Sequence, residues 1–270
     1  MKRVVLLWGI LFLLFPCSLQ ADTIQRTVSG YSDGGQAVSF MVTVNFTATG
    51  GDFSAGTGTA TVEFILENTS GLFPFQSPPM GNPILTGFMF NIPEGATIAL
   101  TEGRILAGSV LYSTGTTMPD GYYLPPGCTV LSEDAVHTGW YELTYDEAAG
   151  HYGIFTNAIE TEEGVKGGFV DPEVIPSCTL MGDIFSPVVV AGIVKFTLEL
   201  GNLDETLDSA EDFLRLCSHI HGKQQESAFG GKFQATDEYG EGSGFVADVG
   251  YCGEVSNERS SWGAIKSIYK

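Results

Sequence analysis

Five consecutive residues, Cys217-Ser218-His219-Ile220-His221, hold the densest potential for chemistry in the sequence. Residues two apart on a strand project to the same face, so His219 and His221 are placed to share a metal ion if this segment is extended. A third ligand has to come from elsewhere, and His137 and His151 are the remaining histidines. A disulfide at Cys217 would remove it from the ligand set, because only the thiolate binds metal. The plainer reading is two exposed strand histidines, since nothing in the spacing brings a third ligand near. Two acidic clusters, Asp204, Glu205, Asp208, Glu211 and Asp212, then Asp237, Glu238, Glu241 and Asp248, offer the oxygen donors that calcium takes. Neither follows the EF-hand spacing, and a solvated acidic surface is what such runs ordinarily form. Calcium is the one cofactor these residues suggest.

Glu142 stands between Tyr141 and Leu143, two residues after Trp140, and a carboxylate among aromatics suits a sugar face. Glycoside hydrolysis needs a second carboxylate about 5 to 10 Å away. With 32 acidic residues some pair always meets that distance, so the pattern singles out no catalytic residue. No G-x-S-x-G, H-E-x-x-H, phosphate loop or dinucleotide fingerprint occurs. Asn45-Phe46-Thr47 and Asn68-Thr69-Ser70 match the glycosylation sequon.

The composition limits the partners. Twelve basic against 32 acidic side chains give a formal charge of -20 on 270 residues, which repels phosphate backbones and excludes nucleic acid as a partner. Hydrophobic residues at 43% and aromatics at 11% exclude a disordered acidic chain. Residues 1–21 have the three parts of a secretory signal: basic Lys2 and Arg3, an apolar run from Val4 to Phe15, and a small residue, Ala21, at the cut. The run is too short for a membrane span, which needs about 20 apolar residues, so no transmembrane anchor is expected in the mature chain. A lipoprotein signal at Cys17 is the competing reading, and Pro16 immediately before the cysteine opposes it. Cleavage after Ala21 leaves Cys128, Cys178, Cys217 and Cys252, an even number that reads as two disulfides outside the cytosol. Three pairings are open. The one favoured joins Cys128 to Cys178 and Cys217 to Cys252, with each loop contributing roughly 4 kcal/mol by chain entropy.

The elements that must position these residues are strands. In residues 38–47, Val38, Phe40, Val42, Val44 and Phe46 alternate with mostly polar neighbours. Val62, Phe64 and Leu66 repeat the pattern after a glycine-rich turn, with Ile65 the exception on the polar side. Residues 68–82, with Pro74, Pro78 and Pro79, read as a surface loop. Further strand signals fall at 86–92, 96–100, 105–112, 140–145, 152–156, 188–200, 228–235 and 244–249, the clearest being Val194, Phe196, Leu198 and Leu200. Residues 208–220 fit a short helix or a strand, and the alternation of Phe213, Arg215, Cys217 and His219 favours a strand from about Phe213 after an acidic turn. The expectation is an all-β, antiparallel, jelly-roll-like sandwich with at most one short helix. It forms one domain over residues 22–253, followed by a polar tail at 254–270.

VEFILENTS (62–70), ILTGFMFNIP (84–93), GWY (139–141), GIFT (153–156), VVAGIVKFTLEL (189–200) and GKFQATDEYGEGSGFV (231–246) give the segment order a family likeness. It resembles the ectodomains of bacterial exosortase-type PEP-CTERM exported proteins. In these a strand ending L-x-N-T precedes an L-T-G-x-x-F-x-x-P strand and, later, a V-x-F-T-L strand. The resemblance implies a surface or matrix β protein with no catalytic residues to carry over. Those proteins end in Pro-Glu-Pro, a membrane-spanning run and a basic cluster, whereas this sequence ends Trp262-Gly263-Ala264-Ile265-Lys266-Ser267-Ile268-Tyr269-Lys270 and lacks that sorting signal. Either the protein is released, or the likeness is that of a shared sandwich module.

The function expected is that of an exported, non-catalytic β-sandwich, structural or ligand-binding. It would contact extracellular polysaccharide or surface matrix through the aromatic-bearing loops 71–75 and 121–125. The alternative is a secreted carbohydrate-active enzyme using paired carboxylates. Secretion or the cell exterior is the expected location, with periplasm and cell surface as variants.

Overall fold

The structure, a computed structural model, describes residues 22–32, 35–71, 83–113, 115–117, 123–136, 141–147, 150–156, 167–172, 188–219, 226–234, 243–248 and 252. It begins with β1 (Asp22–Tyr31), β2 (Ala37–Gly50) and β3 (Gly58–Asn68), the last two joined through a 3-10 turn at Phe53–Ala55. β4 (Ile84–Phe90), β5 (Thr97–Ile105) and β6 (Val110–Ser113) follow. Four short strands come next: β7 (Thr116–Thr117), β8 (Tyr123–Leu124), β9 (Gly127–Val130) and β10 (Ala135–Val136). The hairpin β11 (Glu142–Asp146) and β12 (His151–Phe155) leads to β13 (Gly168–Val170), β14 (Val188–Ala191) and the long β15 (Ile193–Leu203). After a second 3-10 turn at Glu211–Arg215 come β16 (Ser218–His219), β17 (Glu226–Ser227), β18 (Phe229–Gln234) and β19 (Ser243–Ala247).

Two large sheets enclose the core. The first runs β1-β2-β3-β15-β5-β10, antiparallel throughout. The second is built on β4, which carries β18 and then β19 on one edge. Its other edge is shared: β12 and β11 continue from Gly87–Phe90, while β13 meets Leu85 and leads on to β14, β6 and β9. The β13–β14 pair is parallel, a departure from the expected all-antiparallel arrangement, and the long connection between the two strands is what a parallel pair requires. The fold is an all-β sandwich, and among the described residues no helix is long and apolar enough to cross a membrane.

Period-two alternation explains the layers. Val38, Phe40, Val42, Val44 and Phe46 on β2, Ala60, Val62, Phe64 and Leu66 on β3, and Val194, Phe196, Leu198 and Leu200 on β15 all point inward and are buried. The ring of Phe64 lies at the centre, 4.7 Å from Phe90, 5.0 Å from Phe88 and 5.5 Å from Phe213 by ring centroids. Each such ring contributes roughly 2 to 3 kcal/mol by burial alone. On the outer face Lys195 reaches Glu63 at 2.7 Å, Asn45 donates to the other oxygen of Glu63 at 3.2 Å, and Thr23 donates to Asn45 at 2.9 Å.

Two expected strands are each broken in two. The run 188–200 divides at Gly192, β14 lying in the second sheet and β15 in the first. The run 105–112 divides likewise, with β5 ending at Ile105 in the first sheet and β6 beginning at Val110 in the second. β9 and β10 make the same passage alongside them. Three neighbouring segments therefore turn one corner, the geometry by which strands switch sheets. The corner is tied by backbone: Leu106 N–H to Ile193 C=O at 2.9 Å, Gly108 N–H to Leu131 C=O at 2.8 Å, and Leu131 N–H to Ser109 C=O at 2.9 Å. Gly192 is obligatory there, because its φ is 154° and a Cβ would come within 2.1 Å of Ser109 Oγ.

The segment 208–220 also departs from the expected strand. Phe213 lies inside the 3-10 turn Glu211–Arg215, and strand pairing is confined to Ser218–His219. Asp212 decides it: one carboxylate oxygen accepts the N–H groups of Asp208 and Ser209 and the Ser209 hydroxyl, while the other holds Arg215 at 2.9 Å. This wraps the chain tightly enough to bury Phe213 and Leu214, two consecutive residues a strand would have sent to opposite faces.

Candidate functional site

The residues singled out by sequence do not converge. His219 is exposed on β16, its Cα partner being Glu226 on β17. His221, His137, Trp140, Cys178, Ala21, Asp237, Glu238 and Glu241 lie outside the described residues, as do 72–75 and 121–122 of the aromatic-bearing loops. Cys217 is joined to Cys252 with their Cα atoms 6.0 Å apart, so Cys217 is unavailable to a metal. Cys128 is also disulfide-bonded. Its partner lies outside the described residues, because the other two described cysteines bond each other. Among the described residues no three His, Cys, Asp or Glu side chains are grouped to hold a metal ion.

The acids of the first cluster are occupied in shaping the chain. The Thr206 hydroxyl and N–H both bond Asp204, at 2.5 and 2.9 Å, and hold its carboxyl below the usual range. Burial and the neighbouring Asp212 push Asp208 the other way. Asp22, the first residue of β1, accepts the Ala210 N–H at 2.9 Å and so fastens the start of the first sheet to the 3-10 turn. Asn68 of the second sequon is fully buried and donates to Pro83 C=O and Phe169 C=O, both at 2.8 Å; it clamps the end of β3 to β4 and β13 and offers no site to an oligosaccharide. Asn45 of the first sequon is held in the outer ladder between Thr23 and Glu63.

The chain presents rings instead. Among the described residues the exposed large apolar side chains are Tyr31, Tyr123, Val130 and Tyr145. Tyr145 on β11 faces Tyr152 on β12, ring centroids 4.8 Å apart, and Tyr152 stacks in turn on buried Phe90 at 6.2 Å. This shelf stands next to the tip of the β11–β12 hairpin. One strand turn away, Tyr141 crosses to the first sheet: its ring meets Phe196 edge-on at 5.1 Å and bonds the backbone of Gly103, and burial raises its pKa. Gly103 permits that crossing, since a Cβ would sit 2.2 Å from the Tyr141 ring.

Beyond Tyr141 no described strand passes from one sheet into the other. Ile92, Ile98, Leu100, Leu143 and Tyr152 pack on the core only in part. β4 runs antiparallel to β12 with Phe90 opposite Tyr152, so the hairpin tip and the Pro93–Ala96 turn that starts β5 lie at one end of the sandwich. Glu142 is exposed at the other end of the hairpin, opposite Phe155, and on the opposite face of β11 from Tyr141 and Tyr145. No family model and no curated protein matches the chain.

Sequence reasoning placed its aromatic sites on loops and did not find this shelf. Its signal was Tyr141, Leu143 and Tyr145 alternating along β11, with Tyr152 across the hairpin: four inward positions, three of them tyrosines. A tyrosine row where a core would take aliphatics marks a face with one side wet.

Proposed function

We propose that the protein is an exported, non-catalytic β-sandwich that binds extracellular polysaccharide or surface matrix. The observation that carries this reading is the division of labour among its polar and aromatic side chains. Among the described residues the exposed rings are Tyr31, Tyr123 and Tyr145, each offering an apolar face and a hydroxyl. The carboxylates Glu63, Glu102, Asp204 and Asp212 are engaged by Lys195, Arg104, Thr206 and Arg215.

Export rests on the signal-like residues 1–21 and is supported by the disulfide Cys217–Cys252. Cleavage after Ala21 also suits the fold, because Asp22 already pairs with Phe46 in the first sheet. The likeness to PEP-CTERM ectodomains points to the same surroundings.

A glycan array and a hydrolysis screen on one preparation test the reading. Binding without turnover is the expected outcome. Turnover abolished by Glu142→Gln would replace it with a carbohydrate-active enzyme, and neither binding nor turnover would leave a structural role.

A further inference from the structure

We propose that the Tyr145–Tyr152 shelf is a binding site for an amino-sugar polymer carrying free ammonium groups; this rests on the polysaccharide-binding reading above and names the class of polysaccharide. The shelf is preorganised. Tyr145 is 52% exposed, yet its ring is set by Tyr152, which is set by Phe90 in the core, so a ligand finds the aromatic faces already in place. Flat faces of this kind take the C–H side of a pyranose ring, and the negative face of a tyrosine attracts an ammonium group.

The charge around the shelf is predominantly negative. Residues 90–98, 143–147 and 150–154, which build this end of the sandwich, contribute Glu94, Asp146 and Glu147 and no Lys or Arg. His151, at the hairpin tip, is buried. The 3-10 turn that closes the neighbouring part of the same end adds Glu211 and Asp212 against a single Arg215. A polymer of uronic acids is repelled from such a surface and a neutral one gains nothing from it, whereas an amino-sugar polymer is drawn in.

A lysine-rich peptide shares the ammonium chemistry but would bind an open β end by adding a strand to β5. The β5 edge opposes that. The register between β5 and β15 slips at Thr101, whose hydroxyl donates to Thr197 C=O at 3.0 Å, and a bulge of this kind blunts an edge against further pairing.

The test measures binding of the full chain to four immobilised polymers: a deacetylated amino-sugar polymer, its N-acetylated counterpart, a polyuronate and polylysine. Tyr145→Ala and Tyr31→Ala are run beside the wild type, with unfolding curves to show that both fold. Expected is binding to the deacetylated polymer about tenfold tighter than to the acetylated one, weakened by salt and reduced about tenfold by Tyr145→Ala but not by Tyr31→Ala. Equal or tighter binding to the acetylated polymer or the polyuronate overturns the inference and leaves the polysaccharide-binding reading standing. Binding to the deacetylated polymer that ignores Tyr145→Ala overturns it as plain charge attraction, and binding to polylysine alone overturns it in favour of a peptide. Binding to none of the four overturns the inference, and the glycan array then decides the polysaccharide-binding reading separately.

Discussion

The corner and the tyrosine end join the same two sheets by different means. At the corner three chain segments pass from one sheet into the other, and the joint is made of backbone: Leu106 to Ile193, Gly108 to Leu131, Leu131 to Ser109. At the tyrosine end no described strand crosses. The joint there is made of side chains and one covalent bond: Tyr141 over Gly103, the Asn91 amide donating to Leu216 C=O and Ser227 C=O, Asp22 on the Ala210 N–H, and Cys217–Cys252. A backbone joint tolerates almost any side chain but demands a special conformation. A side-chain joint leaves the backbone ordinary, depends on residue identity, and leaves room between its fastenings for a surface that can bind.

The largest effect that would sharpen this contrast is at the covalent fastening. Replacing Cys217 and Cys252 together by serine removes a loop constraint worth about 4 kcal/mol in the chain-entropy picture. The loss is expected to appear first as faster amide exchange in β16, β17 and β4, with the β5–β6 corner still protected. Hydrogen exchange resolved by peptide checks it, and uniform loosening of both ends would break the comparison. Next is Gly192→Ala, which forces a side chain to adopt φ 154° against Ser109 and is expected to cost about 3 kcal/mol in a denaturant unfolding curve. Ser109→Ala, which removes only the hydroxyl accepting the Ile193 N–H at 3.1 Å, should cost about 1 kcal/mol by the same measurement.

The same contrast explains what the sequence disclosed. β2, β3 and β15 each bury one face and wet the other, so Phe40, Phe64 and Phe196 could be placed inside from alternation alone. β1 went unread because its inner row has only Ile24 and Val28 as aliphatics, beside Arg26 and Gly30, and an edge strand needs no more. The corner was invisible for the opposite reason. The run 188–200 is apolar on both sides of Gly192 because both sheets bury it, and hydrophobicity does not say which sheet a residue belongs to. Asn68 offered two incompatible readings, sequon and buried clamp, and only the nearness of Pro83 and Phe169 selects between them. Tyr145 occupies an inward position by parity and is nonetheless exposed, because the first sheet does not cover it. That depends on where the strands stop and cannot be read from their period.

The smallest expected effects are electrostatic, and they have opposite signs at Glu63 and at Asp208. On the outer face of the first sheet, burial works against Glu63, but the Lys195 ammonium and the Asn45 amide outweigh it and hold its carboxyl below the usual value. A lowered folded pKa gives stability that is present above the unfolded pKa and lost as pH falls through the folded value. At the 3-10 turn, burial and Asp212 raise the Asp208 pKa, so Asp208 opposes folding at neutral pH and the opposition is relieved as pH falls through its raised value. Both groups are partly or largely solvated, and solvent screening limits the Glu63 pair to about 0.5 kcal/mol. Glu63→Gln should therefore lower stability at pH 7 and flatten the acid limb of the stability–pH curve, while Asp208→Asn should raise stability at pH 7 and steepen the same limb. Denaturant unfolding of both variants from pH 3 to pH 7 reads the two signs directly. Equal signs would mean that Asp208 is stabilised by its partners as Glu63 is, and the two acids would no longer set the regions apart.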